Sequence, residues 1–331
     1  MISSARLRQI LPVIVSAAVV AFAGHALLRA VRQIAFRDVL IAMHQIPAAA
    51  IASAALLVVS VYGALALYET IIVRQIKAAA SDGVAVIAGL TAAPIGHCIG
   101  WGALSGGVVR YRVYSNAGLR PLEIAKIAML AAIPYAAGLG FVLGLALVVQ
   151  ADRAALLLGV DPALARGAGI ALLALHAFYV TLVLKKRDAI KLGTLVVTLP
   201  PPYLTVIQYL VGSVEVCSGS AVLYVLLPAS AHAPPYVVFV AVYVLSILAG
   251  LASSVPAGIG VFDGVLLLLL PQMPKAQLAA SVLTYRFLLE AVPLLIGLTL
   301  FALFEFKTRR ARALAGKGAC RPADPGDGDA P

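Results

Sequence analysis

Residues 236–270 read YVVFVAVYVLSILAGLASSVPAGIGVFDGVLLLLL, an apolar run whose one charged residue is Asp263. A helix crossing the ~30 Å hydrocarbon core of a bilayer needs about 20 such residues, and this run is longer. Its middle, Val255-Pro256-Ala257-Gly258-Ile259-Gly260, resists a continuous helix, because Pro removes a backbone donor and Gly loosens the backbone. An interrupted helix at membrane depth is tolerated where protein or a polar cavity shelters the freed backbone groups. The stretch therefore predicts a re-entrant hairpin with breaks at Pro256, Gly258 and Gly260.

The rest of the chain has the same character. Of 331 residues, 62% are hydrophobic and 12% charged, against about 25% charged in an average soluble domain. Further apolar runs occupy residues 10–28, 46–68, 84–109, 122–149, 167–184, 203–227 and 276–304. The run at 84–109 is also interrupted, with hairpin breaks expected at Pro94 and Gly96 and a small-residue turn at Gly106 and Gly107, just before Arg110. Lys and Arg favour the cytoplasmic side of a membrane. Eight full crossings would leave 12 basic residues on each side, whereas treating 84–109 and 236–270 as hairpins leaves 18 inside and 6 outside. The expectation is an all-α, polytopic membrane protein with six full transmembrane helices, two re-entrant broken-helix hairpins and both termini cytoplasmic.

Each hairpin precedes a long helix, so the two halves resemble an inverted repeat of the kind that builds transporters around a midplane site. The apolar run at 10–28 is expected to be an uncleaved anchor, and residues 29–45 an amphipathic helix at the interface. Residues 1–306 form the membrane domain. Residues 307–331, basic and then rich in Gly, Asp and Pro, are expected to be a disordered cytoplasmic tail.

A net charge of +11 does not imply nucleic acid here, because the basic residues lie in short loops and the tail. Cys98, Cys217 and Cys320 show neither disulfide nor zinc spacing and read as small fillers. No metal cluster, phosphate-binding loop or Gly-x-Ser-x-Gly elbow is present. No cofactor is expected, and transport is expected rather than catalysis.

Charged groups inside such a chain are costly, about 2.5–3.5 kcal/mol each at the bilayer centre. Glu215, midway along 203–227, therefore needs a polar cavity or a basic partner. Arg286 and Glu290, four residues apart, share a helix face; they are either a structural ion pair or part of a site. Asp263 can cap the half-helix after the break or contact a ligand. Glu69 closes the second run, either at a solvated end or in a site. Arg110 and Arg112 offer planar forks suited to phosphate, or else mark the cytoplasmic edge. His97, beside Gly96 and Trp101, is a hydrogen-bonded core residue or a ligand. Gly140 and Gly144 are spaced to pack helices.

Residues 104–119, LSGGVVRYRVYSNAGL, resemble a signature of the membrane region of the bifunctional lysylphosphatidylglycerol synthase/flippase (MprF-like) family. Other stretches extend the likeness. His97-Cys98-Ile99-Gly100 resembles the family's His-Asn-Ile-Gly, and Tyr68-Glu69 with Arg74 its Tyr-Asp and following Arg. Ser254 to Asp263 resembles Ser-x-Pro-Gly-Gly-Leu-Gly-Val-Phe-Glu, and Tyr285-Arg286 with Pro293 follows the last-helix pattern. The resemblance implies the lipid-translocating half without the cytosolic synthase, in a bacterial inner membrane. The implied cargo is a phospholipid such as aminoacylated phosphatidylglycerol. On the reading of the charged residues themselves, Arg110, Arg112 and Arg286 are expected at its phosphate, and Glu69, Glu215 and Glu290 at a cationic amine if the cargo has one; Glu290 stands where the family usually has an aromatic. Alternatives are another lipid, undecaprenyl-linked or hopanoid, or a non-transporting partner of a separate aminoacyltransferase. A homo-oligomer is compatible with either.

Overall fold

The computed structural model describes residues 36–99, 102–185, 189–192, 195–198, 200–228, 233–253 and 255–318. The anchor at 10–28, residues 29–35, Gly100, Trp101, Ser254 and the chain beyond 318 lie outside them. Among the described residues the chain is helical, apart from a short antiparallel hairpin of β1 (Ala189–Leu192) and β2 (Leu195–Thr198). Six helices among the described residues are long and apolar enough to cross a membrane. Five of them are α2 (Ala48–Gln75), α5 (Pro121–Val149), α7 (Pro162–Leu184), α8 (Pro202–Leu226) and α9 (Tyr236–Ser253). The sixth is the 34-residue run Lys275–Thr308, formed by α11 (Lys275–Arg286), a π-turn (Phe287–Ala291) and α12 (Val292–Gly318). Shorter helices are α1 (Phe36–His44), α3 (Asp82–Ile99), α4 (Gly102–Asn116), α6 (Ala151–Leu158) and α10 (Val261–Leu269).

Local sequence sets the helix ends. Pro121 opens α5 behind Arg120, whose backbone N–H donates to Glu123 Oε2 at 2.9 Å; Pro at the first position loses nothing, since that N–H has no partner inside the helix. Asp161 caps α7 by accepting from the Ala163 N–H at 2.7 Å. Gly159, with φ 66°, ends α6, a left-handed cap that glycine adopts without a Cβ penalty.

One of the six spans differs from the sequence expectation: α9, the first arm of the second broken segment, has 18 residues and the hydropathy of a crossing helix. The anchor at 10–28 lies outside the described residues. Only the second arm, α10, is short. Its nine residues span about 14 Å, roughly half of a hydrocarbon core. α10 folds back on α9, since the Tyr243 and Phe262 rings meet edge to face at 5.7 Å.

The first broken segment also turns back, but not at the expected residues. α3 runs through Pro94 and Gly96 to Ile99, and Gly106 and Gly107 lie inside α4 instead of forming a turn. Pro94 deprives the Leu90 carbonyl of its usual donor, yet the site is covered. A Cβ added to Gly297 would lie 3.1 Å from Leu90 O and 3.0 Å from Pro94 Cγ, so α12 presses its bare glycine face over the gap. Gly106 lets α4 close on α3, since a Cβ there would sit 3.0 Å from Ala92 O.

Two cores result. One joins α5, α8, α9, α10 and α11 around Phe239, Leu223 and Leu266. The other joins α2, α3, α4 and α5 around Ile72, Val113 and Ile127. Gly140 and Gly144 do pack helices, meeting His176, Leu173 and the Gly169 carbonyl of α7. Residues 36–44 of the expected interfacial segment form α1, whose Val39 and Ala42 pack on Ala280 of α11. α12 continues past the expected boundary at 307 to Gly318, so the first part of the tail is helical.

Candidate functional site

The buried charges fall into three groups. In the first, Arg110 of α4 reaches across to Glu69 of α2, Nε to Oε1 and Nη2 to Oε2, both at 2.9 Å. Tyr114, one helical turn on, donates to Glu69 Oε1 at 3.1 Å. The approach of α3 makes this possible, because a Cβ on Gly89 would lie 3.2 Å from Glu69 Cβ. Arg112, on the far side of α4, pairs with Glu305 of α12 at 2.7 Å and is exposed.

In the second group Arg286 is held from several sides. Its Nε donates to Asp263 Oδ1 at 2.9 Å and Nη2 to Oδ2 at 3.1 Å, while Nη1 donates to Glu290 at 3.1 Å and to the Ala257 carbonyl at 3.2 Å. Its Cζ lies 5.5 Å from the Phe262 ring centre, a cation–π geometry. Asp263 also accepts from the Gly260 N–H at 2.8 Å. It therefore caps α10 and anchors Arg286 at once, so the two readings of Asp263 meet in one side chain. The i,i+4 pairing of Arg286 with Glu290 is present.

The third group is Glu215 alone. It is 5% exposed, and its Oε2 has no hydrogen-bond partner among the described residues. Its position follows from the buried face of α8, on which Thr205, Gln208, Gly212, Glu215 and Gly219 follow one another at three- and four-residue spacings. Gly212 and Gly138 bring α8 and α5 into backbone contact. Tyr62 of α2, Tyr135 of α5 and Tyr243 of α9 are each within electrostatic range of both Glu215 and Glu290. Tyr243 and Tyr285 share a hydrogen bond of 2.8 Å. His97 is exposed on the edge of this group, its ring 6.3 Å from that of Tyr135.

The expected site residues thus collect around α2, α4, α8 and the α10–α11 junction, with Arg112 outlying. Sequence reasoning missed the tyrosines. One signal was available: Pro293 cannot supply the N–H that an α-helix would offer to Leu289 O, and Tyr62 Oη donates to that carbonyl at 3.0 Å. The neighbouring Glu290 carbonyl faces Cys98 Sγ at 3.9 Å. The π-turn thereby ties the last span to α2 and α3; such turns recur at functional sites.

Among the described residues no three His, Cys, Asp or Glu side chains converge as a metal site requires. An apolar groove of about 340 Å³ between α7 and α8, lined by Val180, Leu184, Val206 and Leu210, lies apart from the charged groups. What the arrangement offers is two arginines held by three carboxylates, and a fourth carboxylate, Glu215, with no counter-ion among the described residues.

No family model matches the chain. It is 28% identical over 226 residues to an uncharacterized protein of Synechocystis sp., covering 67% of this chain and 70% of that protein. It is 30% identical over 214 residues to the inner membrane protein YbhN of Escherichia coli, covering 63% and 66%. A segment of 117 residues is 34% identical to phosphatidylglycerol lysyltransferase of Staphylococcus aureus, covering 34% of this chain and 14% of that protein.

Proposed function

We propose that this chain, a multi-pass bacterial inner membrane protein related to the membrane region of the lysylphosphatidylglycerol synthase/flippase family, moves a phospholipid between leaflets. The cargo headgroup carries both a phosphate and a cationic amine, as aminoacylated phosphatidylglycerol does. Both termini face the cytoplasm, and the chain acts as a transporter, not an enzyme.

The observation that carries this reading is the charge pattern of the interior. The Glu69–Arg110 pair is neutral. Arg286 faces two carboxylates, Asp263 and Glu290, and Glu215 stands without a counter-ion among the described residues. An interior with surplus carboxylates attracts a cation, and arginine forks that can exchange a carboxylate for a phosphate suit the other half of a zwitterionic headgroup. The headgroup passes between the two broken segments while its acyl chains remain in lipid. Phosphate displaces a carboxylate at Arg110 or Arg286, and Glu69, Glu290 and Glu215 face the amine. His97, exposed beside Tyr135, lines the entry.

The test is a leaflet-asymmetry assay in proteoliposomes, using labelled lysylphosphatidylglycerol with phosphatidylglycerol as the comparison lipid. The wild-type chain should equilibrate the lysyl lipid faster than protein-free vesicles do. Arg286→Lys and Glu215→Ala should each slow it. Equal movement in wild type, both variants and empty vesicles would overturn the reading.

A further inference from the structure

We propose that Glu215 is a shared site for the cargo amine and a proton, so that lipid movement in one direction drives a proton in the other. The inference rests on the translocation reading above and adds its energy source.

Glu215 differs from the other carboxylates of the interior. Glu69 has Arg110 and Tyr114, Asp263 has Arg286 and the Gly260 N–H, and Glu290 has Arg286. Glu215 Oε2 has none of these. The titratable groups within electrostatic range of it on the helices packed against α8 are tyrosines: Tyr62 of α2, Tyr135 of α5 and Tyr243 of α9. Tyr285 of α11 adjoins through Tyr243. The cation beyond, Arg286, is occupied by Asp263 and Glu290. From α7, His176 and Tyr179 meet Tyr209 instead, and His176 Nδ1 lies 2.7 Å from the Tyr209 hydroxyl. No fixed cation therefore answers Glu215 among the described residues.

A buried carboxylate without a fixed partner must bind a mobile cation or a proton. A lipid ammonium and a proton cannot both occupy the same oxygens, so each displaces the other. When the amine arrives, the Glu215 O–H bond breaks and its proton leaves to the side of entry. When the amine departs on the opposite side, the carboxylate takes a proton from there. Nothing is oxidised or reduced, and one proton crosses against each lipid.

A second acceptor lies on the same face of α8, two turns from Glu215. Gln208 Oε1 is buried without a donor, while Gln208 Nε2 donates to Tyr68 Oη at 2.9 Å. The stripe thus continues the run of exchangeable groups toward Glu69, the residue after Tyr68.

The experiment uses the full chain in proteoliposomes containing labelled lysylphosphatidylglycerol, a trapped pH dye and an imposed pH gradient, with protein-free vesicles as control. One proton exchanged per lipid predicts that the steady-state leaflet ratio shifts by about tenfold per pH unit, and that the dye reports proton flow opposite to lipid flow. Glu215→Gln should abolish both responses. Because that variant could also fail to move lipid, infrared spectroscopy of the detergent-solubilised protein supplies an independent arm. A protonated-carboxyl band should titrate in the wild type and be missing in Glu215→Gln. Lipid equilibration in the wild type that ignores the gradient, or a band unchanged in Glu215→Gln, would overturn the coupling. Absence of any wild-type lipid movement would remove the translocation reading and the coupling together.

Discussion

Arg110 clasps Glu69 through two parallel bonds of 2.9 Å, and their side chains are 13% and 2% exposed. The pair staples the second arm of the first broken segment to α2. Removing one member of a buried pair leaves the other charge uncompensated, at a cost of about 3–5 kcal/mol, whereas replacing both by apolar groups is often neutral. Thermal unfolding in detergent should therefore show a large loss for Arg110→Met and for Glu69→Met, and recovery of much of it in the double variant. Arg120→Ala, which removes an exposed i,i+3 pair with Glu123, should be close to neutral, since solvent screens such pairs. A double variant as unstable as the sum of the singles would contradict this account.

The closest backbone approach that glycine permits here is between α5 and α8. A Cβ on Gly212 would collide with the Pro134 carbonyl, and one on Gly138 with the backbone of Gly212. Neither obstacle is a flexible side chain that can swing away. Gly212→Ala and Gly138→Ala should each lower stability by about 1–3 kcal/mol or more through overpacking, and Glu215, one turn from Gly212, should shift with the helix. Gly63 and Gly167 meet nothing within 4 Å. Their alanine variants should be neutral, or gain up to about 1 kcal/mol from helix propensity. Parallel unfolding curves of the four variants would reveal a failure of this ranking.

Much of the architecture is written in one-dimensional features. Long apolar runs are sufficient to give the helices, the 255–260 sequence gives the second break, and the four-residue spacing gives the Arg286–Glu290 pair. The failures share one cause. Pro94 interrupts nothing because Gly297, on a helix two hundred residues later, covers the carbonyl that Pro94 frees. Arg110 and Arg286 read as open phosphate forks, but Glu69 and Asp263 reach them from other helices. Pairings across helices follow from packing, which no local pattern reports. Glu215 was legible because its isolation is itself a sequence property.

Tyr62 and Pro293 should be energetically coupled. Tyr62 donates to Leu289 O, the carbonyl that Pro293 leaves without its α-helical donor. Tyr62→Phe strands that part-buried acceptor, at a cost of about 1 kcal/mol or more. With Pro293→Ala, residue 293 regains an N–H, and the Tyr62→Phe penalty in that background should fall well below its value in the wild type. A double-mutant cycle by thermal unfolding measures the difference. Equal penalties in both backgrounds would separate the two residues.

Ala257 is the last test, because it occupies a conformation that its side chain disfavours. Its φ of 52° and ψ of 13° are left-handed, and it is followed by Gly258 at φ 58° and Gly260 at φ 82°. An alanine there costs about 1–2 kcal/mol relative to its ordinary conformations. The turn is held from outside, since the Ala257 carbonyl accepts from Arg286 Nη1 at 3.2 Å. The motif that this stretch resembles carries glycine at the position of Ala257. Ala257→Gly should therefore leave stability unchanged or raise it by about 1 kcal/mol, the relief of strain being partly offset by the freer unfolded chain. Gly258→Ala should do the opposite, because it adds a strained residue and brings a Cβ to 3.2 Å from Gly250 Cα. The sign matters more than the size. If Ala257→Gly destabilised the protein as Gly258→Ala does, residue 257 would not be left-handed in the native state, and the backbone path that presents its carbonyl to Arg286 would have to be abandoned.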